Sequence, residues 1–137
     1  MRGYWMNPAE TSEVISPEGW LRTGDVGYLT PARTLVLVER KKDVIVVSGF
    51  KVYPSEVEAV VSALAGVSAA AVAGVPDERT GQAVKLFVLP SAKNLTADAV
   101  LEHCRANLSA YKVPRFIEFR DSLPLDQLGK VLRRALT

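Results

Sequence analysis

The sequence predicts an α+β fold in which a small mixed β-sheet is covered by about three helices, preceded by a β-hairpin and an irregular N-terminal arm. Two apolar segments, residues 67–75 and 83–89, have the length and composition of buried strands. Residues 54–65 and 96–108, before and after them, carry apolar side chains at helical spacing. Buried strands next to amphipathic helices are typical of a sheet packed against helices.

The bulk composition indicates an ordinary globular protein. The chain has 137 residues, enough for one domain that buries about two-thirds of its unfolded surface. Its net charge, 17 − 15 = +2, is too small to indicate a nucleic-acid or membrane-surface protein. The single cysteine excludes an internal disulfide, and no apolar stretch approaches the roughly 20 residues of a membrane span. With no signal-peptide pattern either, we expect a cytoplasmic protein.

An N-terminal arm and a hairpin are predicted from the first 38 residues. Residues 1–16 are polar and have no persistent period, which indicates an irregular arm. Residues 26–38 predict a hairpin whose turn lies at residues 31–34. Asp25 follows a Thr-Gly turn just before the hairpin, where its carboxylate could accept two hydrogen bonds from a ribose diol. Simple turn chemistry is the alternative explanation for this aspartate.

Residues 38–54 connect the hairpin to the first helix of the sheet. This stretch opens with three consecutive cations, passes into a β-branched strand and breaks at Ser48 and Gly49. Gly49 is expected in a tight turn that needs a positive φ or a close backbone approach. The guanidinium of Arg40 suits ribose hydroxyls or phosphate. An ordinary charged hairpin would explain the apolar residues but not the three cations at its entrance.

The C-terminal part predicts a strand at residues 116–119 and a last helix that begins near Gly129. In such a helix Lys130 shares a face with Arg133 and Arg134, at i+3 and i+4. The Lys130 ammonium would then extend from the domain as a mobile point charge. The alternative is a basic helix end that favours the helix dipole.

Neither the only cysteine nor the only histidine is predicted to be catalytic. Cys104 lies on the apolar face of the helix at residues 96–108, so we expect an inert packing thiol. His103 lies one step off that face and is expected at the surface. Because no second histidine is present, neither a metal site nor a Ser-His-Asp arrangement is predicted around it.

Three motifs together resemble the acyl-adenylate-forming ligases, the superfamily of acyl-CoA synthetases, peptide-synthetase adenylation domains and beetle luciferases. They are the Thr-Gly-Asp ending at Asp25, RKKDVIVVSGFKVYPSEVE at residues 40–58, and YKVPRFIEFRDSLP at residues 111–124 followed by Gly129-Lys130. The resemblance covers nearly the whole chain and is strongest to long-chain fatty acid CoA ligases. Many relatives have Pro-Ser/Thr-Gly before the lysine, and the aliphatic Leu128 found here favours the long-chain branch.

The resemblance implies a site residue for each step of adenylation. Lys130 is implied to be the catalytic lysine that bridges the carboxylate and α-phosphate oxygens. Asp25 resembles the ribose-binding aspartate of the family, and Arg40 resembles the arginine that contacts the nucleotide. No metal ligand is implied in this chain.

The resemblance also implies residues for thioester formation. Lys42 occupies the hinge position about which the C-terminal domain turns between two orientations. Gly49 is implied to let the backbone lie close to the pantetheine path. Lys51 is a candidate contact for a coenzyme A phosphate.

The implied organisation places residues 1–39 at the tail end of a large N-terminal adenylation domain and residues 40–137 in a C-terminal lid domain. The implied activity is that of a long-chain fatty acid CoA ligase that uses ATP, forming AMP, with coenzyme A and magnesium. These are expected to bind mainly to the N-terminal domain, so we expect this chain alone to be inactive. Its expected partners are that domain and a fatty acid. No nucleic acid is expected, membrane association is considered for the complete enzyme only, and the oligomeric state is not predicted.

Two other functions are weighed against this one. A basic module could bind nucleotides or nucleic acid through Arg40, Lys42, Lys112, Lys130 and Arg133. Its charge balance is too even for that, and no aromatic residues are interleaved as a stacking platform. A standalone partner could also dock onto a separate adenylating domain, although it would not need the family-like arm at residues 1–16.

Overall fold

The computed structural model describes residues 1–127 and 129–136. The chain divides into two compact units, Met1–Lys42 and Asp43–Thr137. The assignment of residues 1–39 to an adenylation domain and of residues 40–137 to a lid stays a prediction.

The first unit contains one helix and one hairpin, namely α1 (Pro8–Val14), β1 (Asp25–Leu29) and β2 (Leu35–Arg40). The arm predicted to be irregular therefore includes a short helix. Asn7 caps it by accepting a hydrogen bond from the Glu10 N–H at 3.1 Å, and Pro8 lies in its first turn. The antiparallel pairing of β1 with β2 confirms the predicted hairpin.

The second unit is built on a five-stranded sheet of β3 (Ile45–Val47), β4 (Phe50–Val52), β5 (Val67–Asp77), β6 (Gly81–Pro90) and β7 (Phe116–Phe119). The strand order is β4-β3-β6-β5, and β7 also pairs with β6. The β6–β7 pair is parallel and the other pairs are antiparallel, so the sheet is mixed. This confirms the predicted α+β class.

Two helices pack against this sheet, α2 (Pro54–Ser62) and α3 (Ala97–Asn107). Pro54 lies in the first turn of α2, and the Thr96 hydroxyl caps α3 by accepting from the Ala99 N–H at 3.2 Å. Their apolar faces join the strands in one core, whose members are Ile45, Val52, Val57, Val61, Val72, Val84, Leu86, Val88, Val100 and Cys104. The two helices among the described residues of this unit follow the predicted bounds closely.

A second cluster is formed by Ala71, Ala73 and Phe87 of the sheet with Leu136 near the end of the chain. The helix predicted from Gly129 is wrong: Val131 forms an isolated β-bridge with Leu125, and a 3₁₀ turn follows at Arg133–Ala135. Val131 and Leu136 both pack on this cluster, yet a helix would not place residues five apart on one face. Among the described residues, no helix is long and apolar enough to cross a membrane.

Candidate functional site

Lys130 lies in a closed turn, the Lys130 loop, whose described residues are 125–127 and 129–131. Leu125 and Val131 bridge its ends. The Asp126 N–H donates to the Lys130 carbonyl at 2.8 Å, and the Lys130 N–H donates back to Asp126 Oδ1 at 2.9 Å. Gly129 has a φ of +78°, which L side chains rarely adopt. The backbone on both sides of Lys130 is therefore fixed by local hydrogen bonds.

The Lys130 side chain itself is exposed. Across residues 1–127 and 129–136, no carboxylate pairs with its ammonium, and only its backbone is hydrogen bonded within the unit. The group is a solvated cation on a fixed base, able to contact an anionic atom presented from outside this unit. Leu128, whose aliphatic side chain suggested the long-chain branch, lies outside the described residues.

Asp25 and Arg40 are brought together by the hairpin. They are partners in the β1–β2 register, and Arg40 Nε lies 3.0 Å from Asp25 Oδ1. Arg40 Nη1 also donates to the Thr23 carbonyl at 3.3 Å. A cleft of about 530 Å³ adjoins this pair and is lined by Thr23, Gly24, Arg40, Lys41 and Lys42. The cleft thus lies next to a carboxylate, which can bind a ribose, and is lined by three cations, which can bind a phosphate.

Lys42 is exposed in a 3₁₀ turn, Lys41–Asp43, and is the last residue of the first unit. A residue between two compact units is a suitable place for a change in backbone angles. Its role as the hinge stays a prediction.

The turn between β3 and β4 has the conformation predicted for Gly49. Ser48 and Gly49 have φ values of +49° and +86°, as the two central residues of a type I′ hairpin require. A Cβ placed on Gly49 would meet no atom within 4 Å, so the glycine meets a backbone requirement and not an internal close contact. Lys51 follows on β4 and is exposed. Roles for Gly49 and Lys51 in coenzyme A binding stay predictions.

A groove of about 790 Å³ in the second unit begins at this turn. Phe50 and Tyr111 stack on its wall with ring centroids 4.8 Å apart, and Arg105 and Arg115 add cationic groups. Lys112 next to Tyr111 pairs with a glutamate of α2, and this hydrogen bond raises the pKa of Lys112. Sequence reasoning missed the aromatic pair, because its two members come from distant parts of the chain.

Arg133 differs most from its prediction. It does not share a helical face with Lys130 and is largely buried, with Nη2 2.8 Å from Glu58 Oε2 and 3.0 Å from Glu58 Oε1. Its Nη1 lies 3.6 Å from Asp43 Oδ2. A salt bridge that joins residues 75 positions apart leaves no periodic signal in the sequence.

His103 and Cys104 both take part in the packing of α3. His103 is half-buried, with Nε2 2.9 Å from the Val60 carbonyl oxygen, so the predicted surface position is corrected: the ring joins α3 to α2. Cys104 is fully buried as predicted, and burial raises the pKa of its thiol. Among the described residues, no three His, Cys, Asp or Glu side chains are grouped where they could hold a metal ion.

The second unit is a small α+β domain that carries an exposed lysine on a hydrogen-bonded turn. The family described as the AMP-binding enzyme C-terminal domain matches residues 56–130, more than half of the chain, and the chain belongs to this family.

Known relatives agree with this assignment. Long-chain-fatty-acid–CoA ligases of Yersinia pestis and Haemophilus influenzae are 50% and 49% identical to it over 136 residues. The match covers 99% of this chain but 24% of each relative, so the chain spans about a quarter of their length.

Solved structures show the same fold. ATP-bound MatB from Rhodopseudomonas palustris has a TM-score of 0.94 at 32% identity, over 98% of this chain and 27% of that one. A fatty acyl CoA synthetase from Mycobacterium tuberculosis has a TM-score of 0.74 at 34% identity, over 98% of this chain and 27% of that one.

Proposed function

We propose that this chain is the C-terminal part of a long-chain fatty acid CoA ligase, which activates a fatty acid with ATP and transfers the acyl group to coenzyme A. The observation that carries the proposal is the exposed Lys130 ammonium on a hydrogen-bonded turn, within a domain homologous to such ligases. The proposed partner is an N-terminal adenylation domain, and the proposed location is the cytoplasm.

Lys130 is proposed to act in the first half-reaction. The fatty acid carboxylate attacks the α-phosphorus of ATP, an acyl-adenylate forms and pyrophosphate leaves. Negative charge accumulates on oxygens shared between carboxylate and phosphate, and a positioned ammonium stabilises that charge. The fixed backbone of the Lys130 loop supports this role, because a cation held in place needs little reorganisation during the reaction.

Asp25 and Arg40 are proposed to hold the nucleotide. A carboxylate accepts hydrogen bonds from the two ribose hydroxyls, and a guanidinium donates to ribose or phosphate oxygens. Their contact at 3.0 Å supports a joint role, because Arg40 orients the carboxylate before the nucleotide arrives.

The second half-reaction is proposed to follow a rotation about Lys42. The coenzyme A thiol attacks the acyl carbon, the thioester forms and AMP leaves. We assign the Gly49 turn to the pantetheine path and Lys51 to a phosphate. The adjoining groove supports this assignment, because its stacked rings and Arg105 suit an amphipathic ligand that carries phosphates. Magnesium is assigned to the adenylation domain, where it would neutralise the phosphates of ATP.

A nucleotide or nucleic-acid binding module is not favoured. Two of the five cations named for that alternative are paired within the second unit, Lys112 with Glu56 and Arg133 with Glu58. Phosphate binding by these two residues would first have to break the pairs, and the net charge of +2 is too small to indicate nucleic-acid binding.

A graft tests the proposed function. The segment of the Yersinia pestis ligase that aligns with this chain is replaced by this chain, and formation of long-chain acyl-CoA is measured; we call this protein the grafted ligase. We expect ATP-dependent activity that Lys130→Ala abolishes. The matched control is Lys93→Ala, which removes an exposed lysine elsewhere. A folded grafted ligase that makes no acyl-adenylate would contradict the proposal.

A further inference from the structure

The partly buried ion pairs of Arg133 connect the Lys130 loop to the beginning of the second unit. We propose that Arg133 is a positioning residue, which holds the loop that carries Lys130 through Glu58 and Asp43. This inference rests on the proposed function, because it assigns Arg133 a task in the step that uses Lys130.

The first observation is how firmly Glu58 is held. Its Oε1 accepts the Val72 N–H at 2.8 Å, and both of its oxygens contact Arg133 Nη2 at 2.8 and 3.0 Å. Val72 lies on β5, whose outer edge lacks a neighbouring strand among the described residues. The glutamate thus satisfies a backbone donor at a sheet edge while it holds the guanidinium. Arg133 is fixed to both α2 and β5 through one side chain.

The second observation is the contact with Asp43. Arg133 Nη1 lies 3.6 Å from Asp43 Oδ2, and the two side chains are only 18% and 22% exposed. Asp43 directly follows Lys42, the proposed pivot. A guanidinium can contact two carboxylates at once from a rigid plane, which a lysine ammonium on a flexible stem does not reproduce. Arg133 therefore joins Asp43, the first residue of the second unit, to the segment that follows the Lys130 loop.

The third observation is the short path from Arg133 to Lys130. Of the two residues between them, Val131 bridges Leu125, and the Leu132 N–H donates to the Pro124 carbonyl at 2.9 Å. Two backbone hydrogen bonds, from the Asp126 N–H to the Lys130 carbonyl and from the Leu132 N–H to the Pro124 carbonyl, thus flank Val131 between Arg133 and the loop. A displacement of Arg133 would consequently displace the loop, and a misplacement of about 1 Å at a reacting group costs up to about a hundredfold in rate.

The geometry predicts an effect on one half-reaction only. Without the Arg133 pairs, the Lys130 loop loses its fixed position relative to Asp43 and α2 in the second unit, so the ammonium is less often at the reacting oxygens. Adenylation slows. Thioester formation, in which Lys130 is withdrawn, has no need of the pairs.

The kinetic test uses Arg133→Gln in the grafted ligase. We expect kcat for adenylation to fall about 10- to 100-fold, with the KM for ATP and the rate of thioester formation from supplied acyl-adenylate within about twofold of the parent. Arg134→Gln is the matched control, because the neighbouring arginine is exposed, and it should retain full activity. Glu58→Gln keeps an acceptor for the Val72 N–H, removes the charge, and should reproduce the same division between half-reactions.

A second measurement, hydrogen exchange on the 137-residue chain, needs no catalysis. The amides of Asp126, Lys130 and Leu132 should exchange at least about tenfold faster in Arg133→Gln, while those of α3 remain unchanged. If Arg133→Gln does not fold, Arg133→Lys is measured in its place, with the same expected pattern at smaller amplitude.

Unchanged exchange in a folded variant, unchanged adenylation, or an equal loss in both half-reactions would overturn the inference. A parent grafted ligase without adenylation would instead contradict the proposed function. In that case the exchange of the loop amides still decides whether Arg133 holds the Lys130 loop.

Discussion

Arg40 and Asp25 face each other across the β1–β2 hairpin, with Nε 3.0 Å from Oδ1. The contact follows from the strand register, in which the first residue of β1 is paired with the last residue of β2. It places an oriented carboxylate beside a cleft lined by Arg40, Lys41 and Lys42. Two residues assigned to the nucleotide from separate motifs are thus one structural pair.

Asp25→Asn should weaken ATP binding far more than it weakens the fold. Loss of a charged acceptor for the ribose should raise the KM for ATP by about 10- to 100-fold in the grafted ligase. The free energy of unfolding should change by less than about 1 kcal/mol, because the ion pair is partly exposed. Steady-state kinetics and urea unfolding check both values, with the exposed Glu13→Gln as control. An unchanged KM would remove Asp25 from the nucleotide site.

Gly49→Ala should destabilise the second unit by about 1 kcal/mol or more. The φ of +86° lies in the left-handed region, which is unfavourable for an L side chain. A Cβ on Gly49 would meet no atom within 4 Å, so packing would neither offset nor increase this conformational cost. Ser48→Asn in the same turn is the control, since asparagine tolerates a positive φ, and it should cause no loss. Urea unfolding midpoints distinguish the two variants. Equal midpoints for Gly49→Ala and the parent would show that the turn adopts another conformation.

The second unit should lose stability as the pH falls below about 4. The Thr80 hydroxyl lowers the pKa of Asp77, and Lys85 followed by Arg120 lowers the pKa of Glu118. Because both pKa values are lower in the folded state than in the unfolded chain, the stabilisation is complete above the unfolded values and disappears as each carboxylate is protonated. Unfolding measured between pH 7 and pH 3 tests this. Asp77→Asn should lose less stability than the parent between pH 7 and pH 3, whereas Glu102→Gln, at an exposed position, should follow the parent curve.

Cys104 should react with a thiol reagent orders of magnitude more slowly than free cysteine at neutral pH. The side chain is fully buried, and burial raises the pKa of the thiol, so the reactive thiolate is both scarce and inaccessible. The rate should rise to that of free cysteine in denaturant. Rapid modification of the native chain would show that α3 opens readily.

The periodic parts of the fold could be predicted from the sequence. Both helices of the second unit, the long apolar strands and the positive φ at Gly49 follow from local patterns, namely helical spacing, β-branched runs and a glycine at a break. The end of the chain could not be predicted in this way. Its conformation depends on an aspartate that caps a turn and on Arg133 bound to a distant glutamate.

The candidate site shows the same division. Lys130, Asp25 and Arg40 were found because each lies in a short motif that a resemblance could identify. The Phe50–Tyr111 stack and the Arg133–Glu58 pair join residues from distant segments. Contacts of this kind are set by the packing of the sheet and its helices, so no local sequence pattern predicts them.

The central claim is tested most directly by measuring the rates of the two half-reactions separately in the Lys130→Ala variant of the grafted ligase. Adenylation, measured as pyrophosphate released in the presence of fatty acid, should fall by at least about a hundredfold, because the cation acts on charge that develops in that step. Thioester formation from supplied acyl-adenylate and coenzyme A should remain within about threefold of the parent. An equal fall in both half-reactions, or none in adenylation, would contradict the role assigned to Lys130.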